Sequence, residues 1–419
     1  MLAATVPVRS LLFATFMLMA GSGFLSTLLA VRLEAAGTSE MLVAAVAAAY
    51  FLGLAVGARR VARVVRTVGH IRAFAAFVSL FSVSALSYAI AQDPAFWAAL
   101  RFVDGLCMAG VFVCLESWLN ERAETTTRGA VLAAYMNFLY SGQAVGQFLL
   151  NLSSAKPSMP FLAASILLSL TVIPVVLTRI PQPELGDETP LSMRGLYRAS
   201  PLGIVGAAGT GLILGAFYGL GAVYARRVGL SLADTALFMS AAILGGVLLQ
   251  WPLGLLSDRF DRRRVLVAGF AGTVAIGLAI ASIAPLGALL MALAIMFGGL
   301  AFALYPLCVA HTNDHLDPSR RLGASGGLVL IYSAGAAVGP LAAALAMTWA
   351  GPPGLFVFIG LCAGAVAAFG IWRQLARPPV PGDLQLPFQM LPRTTPASAM
   401  LDPRQSETAG EEGGGHDRS

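Results

Sequence analysis

The sequence predicts an all-α integral membrane protein, with twelve transmembrane helices in two six-helix bundles. Three observations carry that expectation: the composition, a succession of apolar runs of bilayer length, and one long polar stretch that parts them six and six. Hydrophobic residues make up 57% of the 419 and charged residues 11%. The mean hydropathy is +0.78, and ordinary soluble domains carry roughly a quarter charged residues. No soluble domain of this length has an interior large enough for so much apolar side chain, so lipid is the solvent that fits. The 45 glycines suit close helix–helix approach, which lipid-embedded helices achieve through small residues. Cys107, Cys114, Cys308 and Cys362 all lie inside apolar runs and read as small buried hydrophobes. The net charge of +6 does not argue for a nucleic-acid partner, because the arginines are scattered at segment ends.

A hydrocarbon core takes about 20 apolar residues per helix. Runs of that length fall at 10–32, 41–60, 70–91, 95–119, 129–152, 159–179, 201–225, 233–255, 264–283, 286–310, 321–347 and 353–373. Residues 1–30 could be read as a cleaved signal, with Arg9 ahead of a short apolar region. Cleavage leaves eleven spans and reverses the tail against the arginine count, so an uncleaved first helix is expected. The polar stretch after the sixth run divides the chain: 1–180 an N-terminal bundle, 181–200 a cytoplasmic middle loop, 201–375 a C-terminal bundle. From Ala376 the chain is rich in Pro, Gly and charge and reads as a disordered tail, 376–419.

Alternate connections differ sharply in charge. One side carries arginines 59, 60, 63, 66, 72, 122, 128, 179, 194, 198, 259, 262, 263, 264, 320 and 321, whereas the other has Arg32, Lys156, Arg226 and Arg227. Basic loops stay inside, which expects both termini in the cytoplasm and the protein in the cell inner membrane. A shift of 193 residues superimposes Arg128 on Arg321, Gly142 on Gly335, and Val145-Gly146 on Val338-Gly339. The same shift brings Arg66 onto Arg259, so the chain reads as an internal repeat, the usual construction of secondary transporters.

Between the eighth and ninth runs stands Gly254-Leu-Leu-Ser-Asp258-Arg259-Phe-Asp-Arg-Arg263-Arg264-Val-Leu266. It reads G-x-L-x-D-R-x-x-R-R-x-x-L and resembles the loop signature of the major facilitator superfamily of secondary transporters. With twelve runs and a long middle loop, the resemblance covers residues 10–375. Glu116-Ser-Trp-Leu-Asn120 and Ala310-His-Thr-Asn-Asp314 look like its YcaD-like branch. The resemblance implies the major facilitator fold, with two bundles rocking about a central cavity in alternating access. It further implies a conformational latch of Gly254, Asp258, Arg259, Arg263 and Arg128. In that latch Asp258 meets the start of the fifth span near Arg128-Gly129, where a carboxylate favours the positive helix end. The plainer reading is that these charges only fix topology. The first-half counterpart lacks the Gly and Asp, with Val61 and Val65 in their places, so one latch of this kind is expected.

In the fourth run, Leu100-Arg101-Phe-Val-Asp104-Gly105 resembles the family's R-x-x-Q-G, with Asp104 where an amide or Glu is commoner. Arg101 and Asp104 are three residues apart, so they share a helix face, and charge inside a bilayer usually meets a partner or a cavity. Either they neutralise each other structurally, or Asp104 exchanges a proton that Arg101 helps release. Glu116 is a second candidate for proton coupling, or else an interfacial anchor for Arg122 or Arg128. For the substrate cavity the candidates are Ser22, Ser26, Asn137, Tyr140, Gln143, Gln147, Tyr218, Gln250, Trp251, Tyr305 and Tyr332. Amides and phenols with aromatic walls suit a small neutral or zwitterionic solute, while interhelical hydrogen bonding explains any one of them equally well.

His311, Asn313, Asp314 and His315 invite a metal, but a third strong ligand is lacking, and a solvated helix end is the better reading. Gly323-Ala-Ser325-Gly-Gly327 matches a hydrolase nucleophile elbow, yet no histidine follows until His416, and small-residue packing explains it better. No catalytic residue, metal or cofactor is therefore assigned. The Gly-Pro of the family's antiporters is missing from the fifth run, where Gly142-x-x-x-Gly146 precedes Gln147; it appears at Gly339-Pro340 in the eleventh. The expected protein is a monomeric, proton-coupled secondary transporter of a small molecule. Export of an amphiphilic compound stands ahead of symport or facilitated uptake of a neutral or zwitterionic metabolite, and a non-transporting sensor comes third.

Overall fold

The computed structural model describes residues 5–124, 127–154, 156–178, 183, 192–282, 287–376 and 385–395. Every regular element among them is helical. Among the described residues eleven helices are long and apolar enough to cross a membrane. In chain order these are the first span Arg9–Ala35, the second Glu40–Val68, the third His70–Ser87, the fourth Pro94–Arg122 and the sixth Met159–Val176. The seventh is Pro201–Arg227, the eighth Leu232–Arg259, the ninth Arg262–Ser282, the tenth Gly287–Asn313, the eleventh Arg320–Ala350 and the twelfth Gly354–Ala376. The fifth, Arg128–Gln147, completes the twelve. It is the least apolar of them because it carries Asn137, Tyr140, Gln143 and Gln147. Of the middle loop, only residue 183 and residues 192–200 are described, the latter including a short helix Met193–Ala199.

Local chemistry starts several spans. Asp93 precedes Pro94 and accepts the Phe96 N–H at 2.7 Å, which caps the fourth span. Ser200 and Ser231 cap the seventh and eighth in the same way. The first span breaks at Gly23–Phe24, between helical pieces Arg9–Ser22 and Leu25–Ala35. Non-helical backbone at membrane depth needs its polar groups satisfied inside the protein. Here the Gln147 amide donates to the Gly23 carbonyl at 3.1 Å.

Within each half, glycines let backbones touch. A Cβ on Gly105 of the fourth span would strike the Tyr50 carbonyl of the second; one on Gly298 of the tenth would strike the Ala242 carbonyl of the eighth. Gly142 and Gly146 of the fifth span lie against Phe16 and Ala20 of the first. Gly335 and Gly339 of the eleventh lie against Ala208 and Leu212 of the seventh. Gly105 and Gly298 are related by the same 193-residue shift as Gly142 and Gly335. The repeat seen in the sequence is thus repeated in the packing, helix pair for helix pair.

Candidate functional site

The two halves enclose a central cavity. Its wall takes Ser22, Gly23 and Ser26 from the broken first span, Tyr50 from the second, Arg101 from the fourth, Tyr140 and Gln143 from the fifth, Tyr218 from the seventh and Tyr332 from the eleventh. Contacts across the halves here are made by side chains. Tyr218 donates to the Gln143 amide oxygen at 3.2 Å. Tyr140 meets Phe302 of the tenth span edge-on at 5.4 Å between ring centres.

Six of the eleven residues expected in the cavity line it: Ser22, Ser26, Tyr140, Gln143, Tyr218 and Tyr332. Tyr305 is buried behind the wall, edge-on to Tyr332 at 5.2 Å. Gln147 braces the break in the first span. Gln250 is buried outside the lining, and Trp251 beside it is 60% exposed on the outer surface. Asn137 is exposed. The expectation for it fails on geometry, because each three-residue step turns a helix by 300°. Two such steps carry Asn137 about 120° away from Gln143, whereas Met136, Tyr140, Gln143 and Gln147 share one face.

One wall holds a buried polar network. Arg101 lies 3.5 Å from Asp104, donates to the Ser26 hydroxyl at 2.5 Å and stacks over the Tyr50 ring at 4.2 Å. Tyr88 of the third span donates to Asp104 at 2.5 Å. The helix break that frees Ser26 thus brings a hydroxyl to the guanidinium, while Asp104 lies behind it and away from the cavity lining. Glu116, one helical stretch further along the same span, is fully buried and accepts the Tyr135 hydroxyl at 3.1 Å.

The two faces of the molecule are closed by different means. On one, Arg227 at the end of the seventh span bonds Glu34 at 2.6 and 3.0 Å and also Glu40. That single guanidinium ties the second half to both the first and second spans, in the two-carboxylate arrangement that suits arginine.

On the other face the occupant is residues 385–395. The expected disordered tail does not hold for this stretch, which runs from the loop between the eighth and ninth spans into the cavity. Its path is set by specific bonds. Arg262, buried, donates to both Asp258 at 2.9 Å and Asp314 at 2.7 and 2.6 Å, and to the Leu386 carbonyl at 2.6 Å. The Leu386 N–H donates to Asp314 at 3.1 Å, and the Phe388 N–H to Asp258 at 2.8 and 3.1 Å. The Phe388 ring covers Gly254, where any Cβ would collide with it. Further in, the Thr394 and Thr395 hydroxyls both donate to Glu116. Arg393, between them and the aromatic wall, donates to the Tyr218 hydroxyl at 3.1 Å.

The residues expected to form the latch are accounted for differently. Asp258 is bonded to Arg262 and to the tail backbone, not to Arg128 at the start of the fifth span. Arg263 pairs with Asp261 at 3.0 Å, and Arg259 is exposed. The segment around Asp314 is not a solvated helix end. His311 and Asn313 are buried, and burial raises the Asp314 carboxyl above the usual carboxylate range, against the pull of Arg262. Among the described residues, no three His, Cys, Asp or Glu side chains gather as metal ligands would. Ser325 turns its hydroxyl back to the Arg321 carbonyl at 3.1 Å, within its own helix. Sequence reasoning missed Arg262, Phe302, Arg227 with its two glutamates, and the tail.

Comparison with known proteins agrees with this architecture. The family model of the Major Facilitator Superfamily matches residues 11–252 and again 205–399. The uncharacterized MFS-type transporter YcaD of Escherichia coli strain K12 is 30% identical over 348 residues, 82% of this chain and 89% of that protein. Among solved structures, nucleoside transporter NupG superposes with a TM-score of 0.72 at 13% identity, over 88% of this chain and 98% of that one. A bacterial homologue of the lysosomal transporter Spinster, inward-facing and unoccupied, reaches 0.68 at 13% identity, over 95% and 97%. The D-xylose-proton symporter gives 0.69 at 12% identity, over 87% and 96%. The chain belongs to the Major Facilitator Superfamily and is a multi-pass membrane transporter of that family.

Proposed function

We propose that the chain moves a small solute across the cytoplasmic membrane by alternating access, driven by a proton gradient and acting as a monomer. Both termini are cytoplasmic in this reading, as the arginine distribution favours. The face closed by Arg227, Glu34 and Glu40 is then the outer gate, and the tail enters from the cytoplasm. The observation that carries the proposal is the central cavity between two repeat-related halves, sealed at one end by an ion pair that rearrangement of the halves would break. Such a cavity at a repeat interface is where secondary transporters bind.

Arg101, Asp104 and Glu116 are the proton-coupling candidates. A carboxyl buried at membrane depth beside a guanidinium has two charge states whose balance shifts when water or solute reaches it. Export of an amphiphilic compound is the favoured reading: phenylalanine, tyrosine and methionine side chains make half of the cavity wall, with Ser22, Ser26, Arg101 and Gln143 among its polar groups, a mixture that suits such a compound. The test is counterflow and pH-driven flux in proteoliposomes, with a panel of amphiphiles and neutral metabolites. Accumulation that tracks an imposed proton gradient is the expected result. Flux of a solute at the same rate with and without the gradient would rule out coupling and leave facilitated uptake as the reading.

A further inference from the structure

The Arg393 guanidinium sits among four aromatic rings. Its carbon lies 4.7 Å from the ring centre of Phe302, 5.6 Å from Tyr332, and 5.8 Å from both Tyr140 and Tyr218. The rings come from the fifth, seventh, tenth and eleventh spans, so both halves of the transporter contribute. Among the described residues no carboxylate pairs with Arg393. Its charge is met by ring faces and by one phenol oxygen. A set of aromatic faces around a positive centre is how proteins recognise organic cations.

Nothing about the tail's own anchorage requires such a cage. The segment is already fixed by backbone bonds to Asp258, Arg262 and Asp314 and by two hydroxyls on Glu116. Beside Arg393 a residual cavity of about 110 Å³ continues toward Ser22, Ser26, Gln143 and Arg101. That is space for the remainder of a ligand whose cationic end lies in the cage.

We propose that the cage of Tyr140, Tyr218, Phe302 and Tyr332 is a binding site for an organic cation bearing a guanidinium or amine. In this conformation Arg393 of the chain's own tail occupies it as a tethered competitor. The proposal rests on the cavity being the transport site and names the class of solute it takes. A tethered group acts at an effective concentration in the millimolar range, so a free cation must outcompete it or wait for the tail to leave. The tail thereby sets a threshold of solute below which the cavity stays filled.

The experiment is equilibrium binding of radiolabelled agmatine, a soluble guanidinium cation, to purified full-length protein without any gradient. Uncharged butylurea, which keeps the four-carbon chain and a planar head group and lacks both of agmatine's charges, serves as the parallel probe. Arg393→Ala should bind agmatine at least roughly tenfold more tightly than the parent, by relief of the tethered competitor. Phe302→Leu added to Arg393→Ala should abolish most of that gain, and Arg393→Lys should resemble the parent. Thermal melts of each variant verify folding. Agmatine binding unchanged by Arg393→Ala in folded protein overturns the proposal. An equal gain for butylurea overturns the cation assignment and leaves a simple plug. Because no gradient is applied, cation binding persists even if proton-driven transport fails, so the two readings fail separately.

Discussion

Arg262 and Asp314 stand 52 residues apart in the chain and meet through two hydrogen bonds of 2.7 and 2.6 Å, and between them they hold both backbone groups of Leu386. The pair joins the ninth and tenth spans and is the anchor on which the tail turns inward. Both side chains are almost completely buried.

Removing one partner of a buried pair leaves the other charge uncompensated, at a cost of about 3–5 kcal/mol. Arg262→Ala should therefore lower the melting temperature of the detergent-solubilised protein well below that of Arg259→Ala, whose side chain is exposed. Indistinguishable melts for the two variants would show that the pair contributes nothing.

The glycine seams give a prediction with a built-in contrast. A methyl at Gly105 or Gly298 has to displace backbone of the neighbouring helix, and overpacking of that kind costs about 1–3 kcal/mol. A methyl at Gly364 finds its nearest neighbour, a Val274 methyl, at 3.7 Å. Gly105→Ala and Gly298→Ala should melt lower and yield less monodisperse protein, while Gly364→Ala should match the parent. Equal stability for all three would undo the account of helix packing.

If Asp104 or Glu116 couples transport to protons, Asp104→Asn or Glu116→Gln should flatten the pH profile of flux in proteoliposomes while solute binding survives. Arg101→Gln should weaken the response without removing the carboxyl. A pH profile that persists in both carboxyl variants would move the coupling group elsewhere.

Asp258 accepts a tail N–H here, and the family resemblance implies a second partner at the fifth span in another conformation. Asp258→Asn should reduce the transport rate while leaving membrane insertion and folding intact. Full transport by the variant would remove any switching role from the loop.

Arg227 holds Glu34 and Glu40 in a partly exposed cluster, so the clamp is worth less than a buried one. A change of about 1.4 kcal/mol alters a two-state ratio tenfold. Arg227→Ala should raise maleimide labelling of a cysteine introduced by Ala47→Cys, a site beside Gly219 at the seam under the clamp. Labelling that does not change would mean other contacts keep this face shut.

The fold was legible because lipid imposes a length and a composition on every span. Only the fifth blurred that signal, since its cavity-facing amides and phenol lower its hydropathy. Tyr140, Gln143, Tyr218 and Tyr332 could be found as polar or aromatic breaks in apolar runs. Asn137 was misplaced because spacing by three drifts around the helix, and Trp251 because it neighbours an inward residue. Arg227 and its glutamates lie 193 and 187 positions apart, and no local pattern links them. The tail was hidden differently. Proline and polar residues suggest disorder, yet Leu386-Pro-Phe-Gln-Met-Leu391 is an apolar island within it, and that was the available signal.

Among the described residues the close approaches of glycines to neighbouring backbone fall inside one half or the other. Across the halves the second span packs on the eleventh and the fifth on the eighth, and there the halves are further joined by a phenol on an amide, ring edges and one arginine clamp. The proposed rocking of the halves would then leave the backbone seams within each bundle intact and slide side chains past one another between them. Separating the Arg227 clamp while the glycine seams hold is the displacement that the proposed exchange of openings requires.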